Sequence, residues 1–285
     1  EERLTEEEIT GHARGYEART IPNVADVLLV TVDVQSGYVY YLVRAWQSAT
    51  GNSWLVDLGT FGRPIRGASE LSIEERRRLL ISASLDELDG HVLASWPIVD
   101  EAGKELGRGK ALAGLVDIGF ERDIVAAWWC AKHRGVWHLI AGQRSGIRGS
   151  LWPPEPKMTK RGVPYREVDV SQAKHVLRTL QRIPHGEPGY QALPDRGLAA
   201  NTVRAYSRHM TSERFDRSKL PPRWVKIMPG VANHWYDCEV YQVSLAIAAG
   251  VRIPTLVAPA VQADTSAGYQ SRENKEHGGS WKIGR

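Results

Sequence analysis

The chain has 285 residues, 42% hydrophobic and 25% charged, the balance of a folded globular protein of one large or two small domains, and neither a disordered nor a fibrous one. Lys and Arg outnumber Asp and Glu by 37 to 33, a mild excess that permits a polyanionic partner without histone-like charge density. Two cysteines, Cys130 and Cys238, and a start without a charged n-region and apolar h-region argue against a disulfide framework and a secretory route, so an intracellular protein is expected. The longest apolar run, near Val243 to Val251, is far short of the roughly 20 residues that a membrane span needs.

Taken in chain order, Glu1 to Thr20 carries many charges and little apolar periodicity, and residues 1–25 are expected to form a loose arm or linker. Val27 to Val32 is a continuous apolar run ending at Asp33, the pattern of a central strand buried on both faces. Gln35-Ser36-Gly37 reads as a turn into a second strand, Tyr38 to Trp46, and Thr50-Gly51-Asn52 as a turn into a third, Trp54 to Phe61. The chain thus opens on an antiparallel meander. Ser72 ahead of Glu74 and Glu75, with Leu79, Leu80 and Leu85 recurring among arginines, predicts a helix packed on that sheet. After a polar, glycine-rich connection, Ala111 to Val116 is a further buried strand that again ends at an aspartate, Asp117. A helix over Arg122 to His133 and a strand over Val136 to Ala141 complete a β-β-β-α-β-α-β order.

Ile147 to Arg166, rich in Pro, Gly, Lys and Arg, reads as a long surface loop or hairpin. Val170 to Leu180 and Asn201 to Phe215 read as helices, and Pro221-Pro222 to Gly230 as irregular. From Asn233 onward Tyr236, Val240, Val243 and Ile247 recur at helical spacing, with Gly250 as the stop. Residues 259–285 are polar and expected to be a flexible tail.

The chain has no G-x-x-x-x-G-K-[ST] loop, no G-x-S-x-G elbow, no H-E-x-x-H and no paired C-x-x-C, so its chemistry is left to plainer groups, carboxylates first. Asp33 and Asp117 each end a buried strand, and Asp237 lies in the first turn of the last long helix. Sites in open α/β sheets gather at strand ends, and three carboxylates meeting there would suit Mg²⁺ or Mn²⁺. Two such ions about 3.5–4 Å apart steady both the attacking and the departing oxygen of a phosphodiester. A lone aspartate after a strand is more often a turn former or cap; the joint placement of these three sets them apart. Asp57, between Leu55, Val56 and Leu58, is expected to face solvent, Asp169 to cap the following helix, and Glu121, Asp123 and Glu239 to stand behind the three acids. Arg144, Arg148, Lys157, Lys160 and Arg161 are the expected phosphate contacts, with Lys174 and Arg178 behind them; a solvated basic loop is the plainer reading. His234 reads as a structural histidine near a helix start, with proton transfer as the other role, and Trp128, Trp129, Trp137 and Trp235 as core aromatics.

Three blocks carry a family likeness: VTVDVQSGYVYYLVRAW with SWLVDLGTF (Val30 to Phe61), LVDIGFERDIVAAWWCAKHR (Leu115 to Arg134) and NHWYDCEVYQVSLAIAAGV (Asn233 to Val251). They resemble the nuclease domain of a tailed-phage terminase large subunit of the lambda type. The resemblance implies an α/β, RNase H-like mixed central sheet over 26–258, with helices on both faces. It also implies a metal-dependent endonuclease that cuts concatemeric double-stranded phage DNA. The family's acids fall on Asp33, Asp117 and Asp237, with Asp33 bridging two Mg²⁺ or Mn²⁺ ions and the others completing one site each. The partners it implies are double-stranded DNA, the N-terminal ATPase domain of a full-length terminase, the small terminase subunit and the portal or procapsid, in the cytoplasm of an infected host. With no Walker loop in the chain, a C-terminal fragment of that motor is expected. A Holliday-junction resolvase or transposase of the same fold, or a non-catalytic DNA or portal docking module, is the alternative.

Overall fold

The computed structural model describes residues 4–36, 38–62, 71–132, 135–143 and 149–254. The expected turn residue Gly37, the end of the predicted helix at His133, the basic residues Arg144 and Arg148, and the tail 259–285 lie outside the described residues.

The sheet grows outward from β3 (Val27–Val34). Leu28, Val30, Val32 and Val34 point to one face of the sheet and Leu29 to the other, and all five are at most 4% exposed. Such a run can be buried only at the centre of a sheet covered on both sides. β3 pairs antiparallel with β4 (Val39–Trp46), and β4 with β5 (Ser53–Phe61), which is the expected meander. On its other side β3 pairs in parallel with β8 (Ala113–Asp117), followed by β9 (Trp137–Gly142) and β11 (Pro164–Val168), also parallel, and by β10 (Lys157–Met158), antiparallel to β11. This mixed sheet, an antiparallel meander followed by parallel strands, is the RNase H-like arrangement implied by the resemblance.

Helices cover both faces. α2 (Ile73–Val92) and α3 (Arg122–Lys132) bury Ile81, Leu85, Leu88, Val125 and Trp128 against one side. Against the other lie α4 (Val170–Leu180), α5 (Ala200–Met210) and α6 (His234–Ala248), with α1 (Glu6–Thr10) packed on α5. α2 begins where the sequence placed it, because Ser72 and Glu75 close a capping box. α4 likewise starts at Asp169, whose side chain accepts from the Gln172 amide.

Four features depart from the sequence reading. Residues 4–25 are no loose arm: Leu4 and Ile9 are buried, Thr5 and Glu8 cap α1, and β1 (Ala13–Glu17) joins the edge of the main sheet beside β12 (Gln191–Arg196). That strand is short and only partly buried, and its partner lies nearly 180 positions away, so local periodicity carried no sign of it. β2 (Ile21–Pro22) then forms a small separate sheet with β6 (Trp96–Val99) and β7 (Glu105–Gly109), inside the stretch read as a polar connection. The segment after Phe215 is ordered as β14 (Arg223–Lys226), which pairs with β13 (Glu213–Asp216). Finally, Asp57 is fully buried. The register of β5 on β4 shifts between Val43↔Asp57 and Arg44↔Leu55, so Val56 is an extra residue that turns Asp57 onto the α2 face, where Tyr41 Oη donates to it at 2.9 Å and His91 Nε2 lies at 2.8 Å.

Candidate active site

Residues Val32 and Val116 are direct partners in the parallel β3–β8 pair, so the next residues, Asp33 and Asp117, leave the carboxyl ends of adjacent strands side by side. α6 crosses the same end. Its first turn presents Asp237, and flanking positions on the helix reach both strand ends: His234 Nδ1 lies 2.8 Å from Asp33 Oδ2, and Tyr241 Oη donates to Asp117 Oδ2 at 3.1 Å. Positions 234, 237 and 241 are spaced by three and four residues and so share one helix face.

Each carboxylate has protein donors. Gln35 Nε2 lies 3.0 and 2.9 Å from the two oxygens of Asp33, and the Gly119 amide donates to Asp117 Oδ1 at 2.7 Å. Asn233 Nδ2 donates to Asp237 Oδ2 at 2.8 Å. Asn233, as the residue before α6, makes no side-chain cap; its amide is spent on the acids, and His209 Nδ1 accepts the Trp235 amide at 3.1 Å instead. Among the described residues no three His, Cys, Asp or Glu side chains form a closed metal-ligating group.

The electrostatics tie the three acids together. Burial, then the charge of Asp33, pushes Asp117 up to about 7. Asp237 is pushed up to about 8 by burial and by Asp33, Glu213 and Asp117, against the opposing pull of Lys174. Carboxylates that raise one another in this way share a field, and such perturbation marks sites that use charge. The donor set is all oxygen, which suits hard divalent cations and not zinc or copper.

Lys174 is a correction. It is not a surface phosphate contact: it is 8% exposed, with Nζ 2.6 Å from Glu213 Oε2 and 3.7 Å from Asp237 Oδ1. Arg178, 5% exposed, donates to the Glu213 carbonyl at 3.2 Å. Both sit on a strongly amphipathic helix whose polar stripe reads as solvated, yet that stripe is covered by β13. Glu121 pairs with Arg77 at 2.5 Å, Asp123 with Arg161 at 3.9 Å, and Glu239 with Arg44 at 2.5 Å inside the core, so all three outer candidates are engaged by arginines. Of the expected phosphate contacts, Lys157 is bound to Glu167 and Arg161 faces Asp123, which leaves Lys160 exposed and unpaired among the described residues. Trp128, Trp137 and Trp235 are core aromatics.

The model of the endonuclease domain of the terminase large subunit gpA matches residues 1–257. No curated protein matches the chain. Among solved structures, the chain is similar to the nuclease domain of the large terminase subunit gp2 of bacterial virus Sf6, at 10% identity and a TM-score of 0.43, over 88% of this chain and 98% of that one. A lysine-to-alanine variant of that domain, in a structure with manganese, matches at 11% identity and a TM-score of 0.41, over 83% and 97% of the two chains. The large terminase nuclease from thermophilic phage G20c matches at 13% identity and a TM-score of 0.33, over 78% and 81%.

Proposed function

The chain belongs to the family of terminase large subunit gpA endonuclease domains, and from that premise we propose that it cuts double-stranded DNA with two divalent cations held by Asp33, Asp117 and Asp237. The observation that carries the reading is the reach of one helix face to both strand ends: α6 brings Asp237 into the field of Asp33 and Asp117 and touches each of those acids through His234 and Tyr241. Asp33 is the acid whose charge raises both of the others, and with them it would hold the cations.

Magnesium or manganese bound there would supply Lewis acidity at the scissile phosphate and lower the pKa of a bound water. The chain's own residues do the rest. Gln35, Gly119 and Asn233 hold the carboxylates in orientation through their hydrogen bonds. Lys174 sits behind Asp237 as a buried countercharge that favours its ionised form. His234 fixes Asp33 from the α6 side. The domain would act within a packaging terminase, beside an ATPase domain, a small subunit and a portal, in the host cytoplasm; among the described residues no helix is long and apolar enough to cross a membrane.

Incubating the purified chain with supercoiled plasmid and Mn²⁺ or Mg²⁺ is expected to produce nicked and linear DNA, with EDTA stopping the reaction. Asp33→Asn, Asp117→Asn and Asp237→Asn should each lose at least about a hundredfold in rate, while DNA retention, set mainly by surrounding cations, persists. Cutting at the wild-type rate by Asp33→Asn, or no metal-dependent nicking by the wild type, overturns the reading. Preference for a four-way junction over a linear duplex would point instead to a resolvase.

A further inference from the structure

The β13–β14 hairpin stands beside the acids and takes no part in the assignment above. Its root is built into the site. Glu213, the first residue of β13, accepts from Lys174 at 2.6 Å and from Asn233 at 2.8 Å, and the same Asn233 amide donates to Asp237. The Ile227 amide, just past β14, returns to the Ser212 carbonyl at 2.9 Å and closes the root. The inner face is anchored as well: Phe215 and Trp224, direct cross-strand partners, pack on His175 of α4 with ring centroids 4.5 and 5.1 Å away. Two sets of contacts thus hold the hairpin against α4 and against Asn233 at the start of α6.

The rest of the hairpin is cationic. Arg214, Arg217, Lys219, Arg223 and Lys226 are all exposed, and Asp216 is the one acid in segment 214–226. Asp216 pairs with Arg214 at 4.0 Å and is also in the field of Lys219, and among the described residues no carboxylate forms an ion pair with Arg217 or Arg223. The loop around 157–161 is more nearly balanced: Glu167 and Asp123 face two of its three cations, whereas in the hairpin one acid faces five. An excess of exposed cations over acids, on an arm whose root shares the Asn233 amide with Asp237, matches the chemistry of a nucleic-acid backbone: regularly spaced monoanionic phosphates, bound without regard to sequence.

We propose that the 213–226 hairpin is the phosphate-binding arm that sets the register of the DNA backbone against Asp237. The proposal rests on the endonuclease reading. Arg217 and Lys219 lie in the connection between the two strands, away from the anchoring face, so the double variant Arg217→Glu/Lys219→Glu alters charge without touching the root. Lys104→Glu/Lys110→Glu, at exposed positions flanking β7, makes the same change in net charge elsewhere and serves as control.

Retention of a labelled duplex by the full chain is measured by fluorescence anisotropy from low to moderate salt, and plasmid nicking is followed across DNA concentrations. The hairpin variant is expected to bind about tenfold or more weakly and to lose about 2 from the slope of log affinity against log salt, the share of two phosphate contacts. Its nicking should fail at low DNA and recover as DNA is raised, a rise in KM, while the control matches the wild type in both assays. The arm is overturned, with the nuclease reading intact, if the wild type nicks and the hairpin variant keeps the wild-type affinity and slope, or if the control loses as much as the hairpin variant. A wild type that neither retains nor nicks DNA overturns the endonuclease reading and the arm with it.

Discussion

Asp237 is a carboxylate kept where its charge is disfavoured: it is half-buried, and Asp33, Glu213 and Asp117 all raise it, with Lys174 the opposing cation beside it. Its pKa in the folded chain, about 8, stands well above the ordinary 3.8. Between those values the folded chain, without metal, holds a proton that the unfolded chain has released. Stability from this group is therefore fully present below about pH 4 and is lost as pH rises toward 8. Asp237→Asn, which removes the charge and keeps the shape, should raise the Tm of the EDTA-treated chain at pH 8 by at least several degrees, at about 2–4 °C per kcal/mol for a domain of this size. The gain should shrink toward zero at pH 4.5. Melts that run parallel at both pH values would show that Asp237 is not under this repulsion. The positions of the three acids in the fold were legible because two end apolar strands and the third opens a long helix. Lys174 and Glu213 were not, because a lysine on an amphipathic helix and a glutamate before a turn look solvated until the strand that covers them is known. His234 and Tyr241 were more accessible: spacing of three and four from Asp237 places them on the same helix face. Asp57 was misread because alternation assumes an unbroken strand, and one extra residue reverses it.

At the scale of elements, the site depends on how α6 is set on the sheet. The helix is buried nearly all round and carries Glu239 and Gln242 into the core. Arg44 of β4 meets Glu239 with Nε at 3.1 Å and Nη2 at 2.5 Å, and Tyr206 Oη donates to the same carboxylate at 2.7 Å. Trp46 Nε1 donates to Gln242 Oε1 at 3.1 Å. Two polar teeth at positions 239 and 242 thus fix the rotation of α6 on β4, and with it the direction in which 234, 237 and 241 point. A buried pair is costly to break and cheap to replace as a whole. Arg44→Met alone should therefore cost about 3–5 kcal/mol by urea unfolding, because it strands Glu239, and the double variant Arg44→Met/Glu239→Leu should recover most of that loss. If the single and double variants lose equally, the pair adds packing and no electrostatic lock. The limits of α4 and the start of α2 could be read from their caps, and the meander from its turns. β1, β2, β6, β7 and β12 could not, because short strands are defined by distant partners and leave little periodicity of their own.

At the scale of the whole molecule, the acids come from positions 33, 117 and 237 and meet only after the meander, the β3–β8 crossover and the packing of α6 are complete. The order of the elements suggested that meeting, but it is the parallel register of β3 on β8 that brings it about. Because the site exists only in the folded chain, a cation bound there is linked to folding: binding to the native state alone adds about 2.7 kcal/mol when the ion stands at a hundred times its Kd. Ligation also requires the carboxylates to be ionised, and metal binding at raised pKa values releases protons. With Asp117 near 7 and Asp237 near 8, cation affinity should be weak at pH 6 and rise steeply toward pH 8. A fixed concentration of Mn²⁺ should accordingly raise the Tm by several degrees at pH 8 and by much less at pH 6, and the nicking rate should climb over the same interval. More metal should move that rise to lower pH, since the ion and the proton compete for the same oxygens. Asp33→Asn should remove the metal-dependent gain in Tm at both pH values, and at pH 8 should raise the metal-free melt by relieving the repulsion on Asp117 and Asp237. A Tm gain that is independent of pH, or that survives Asp33→Asn, would place the cation elsewhere on the protein and separate the acids from the chemistry assigned to them.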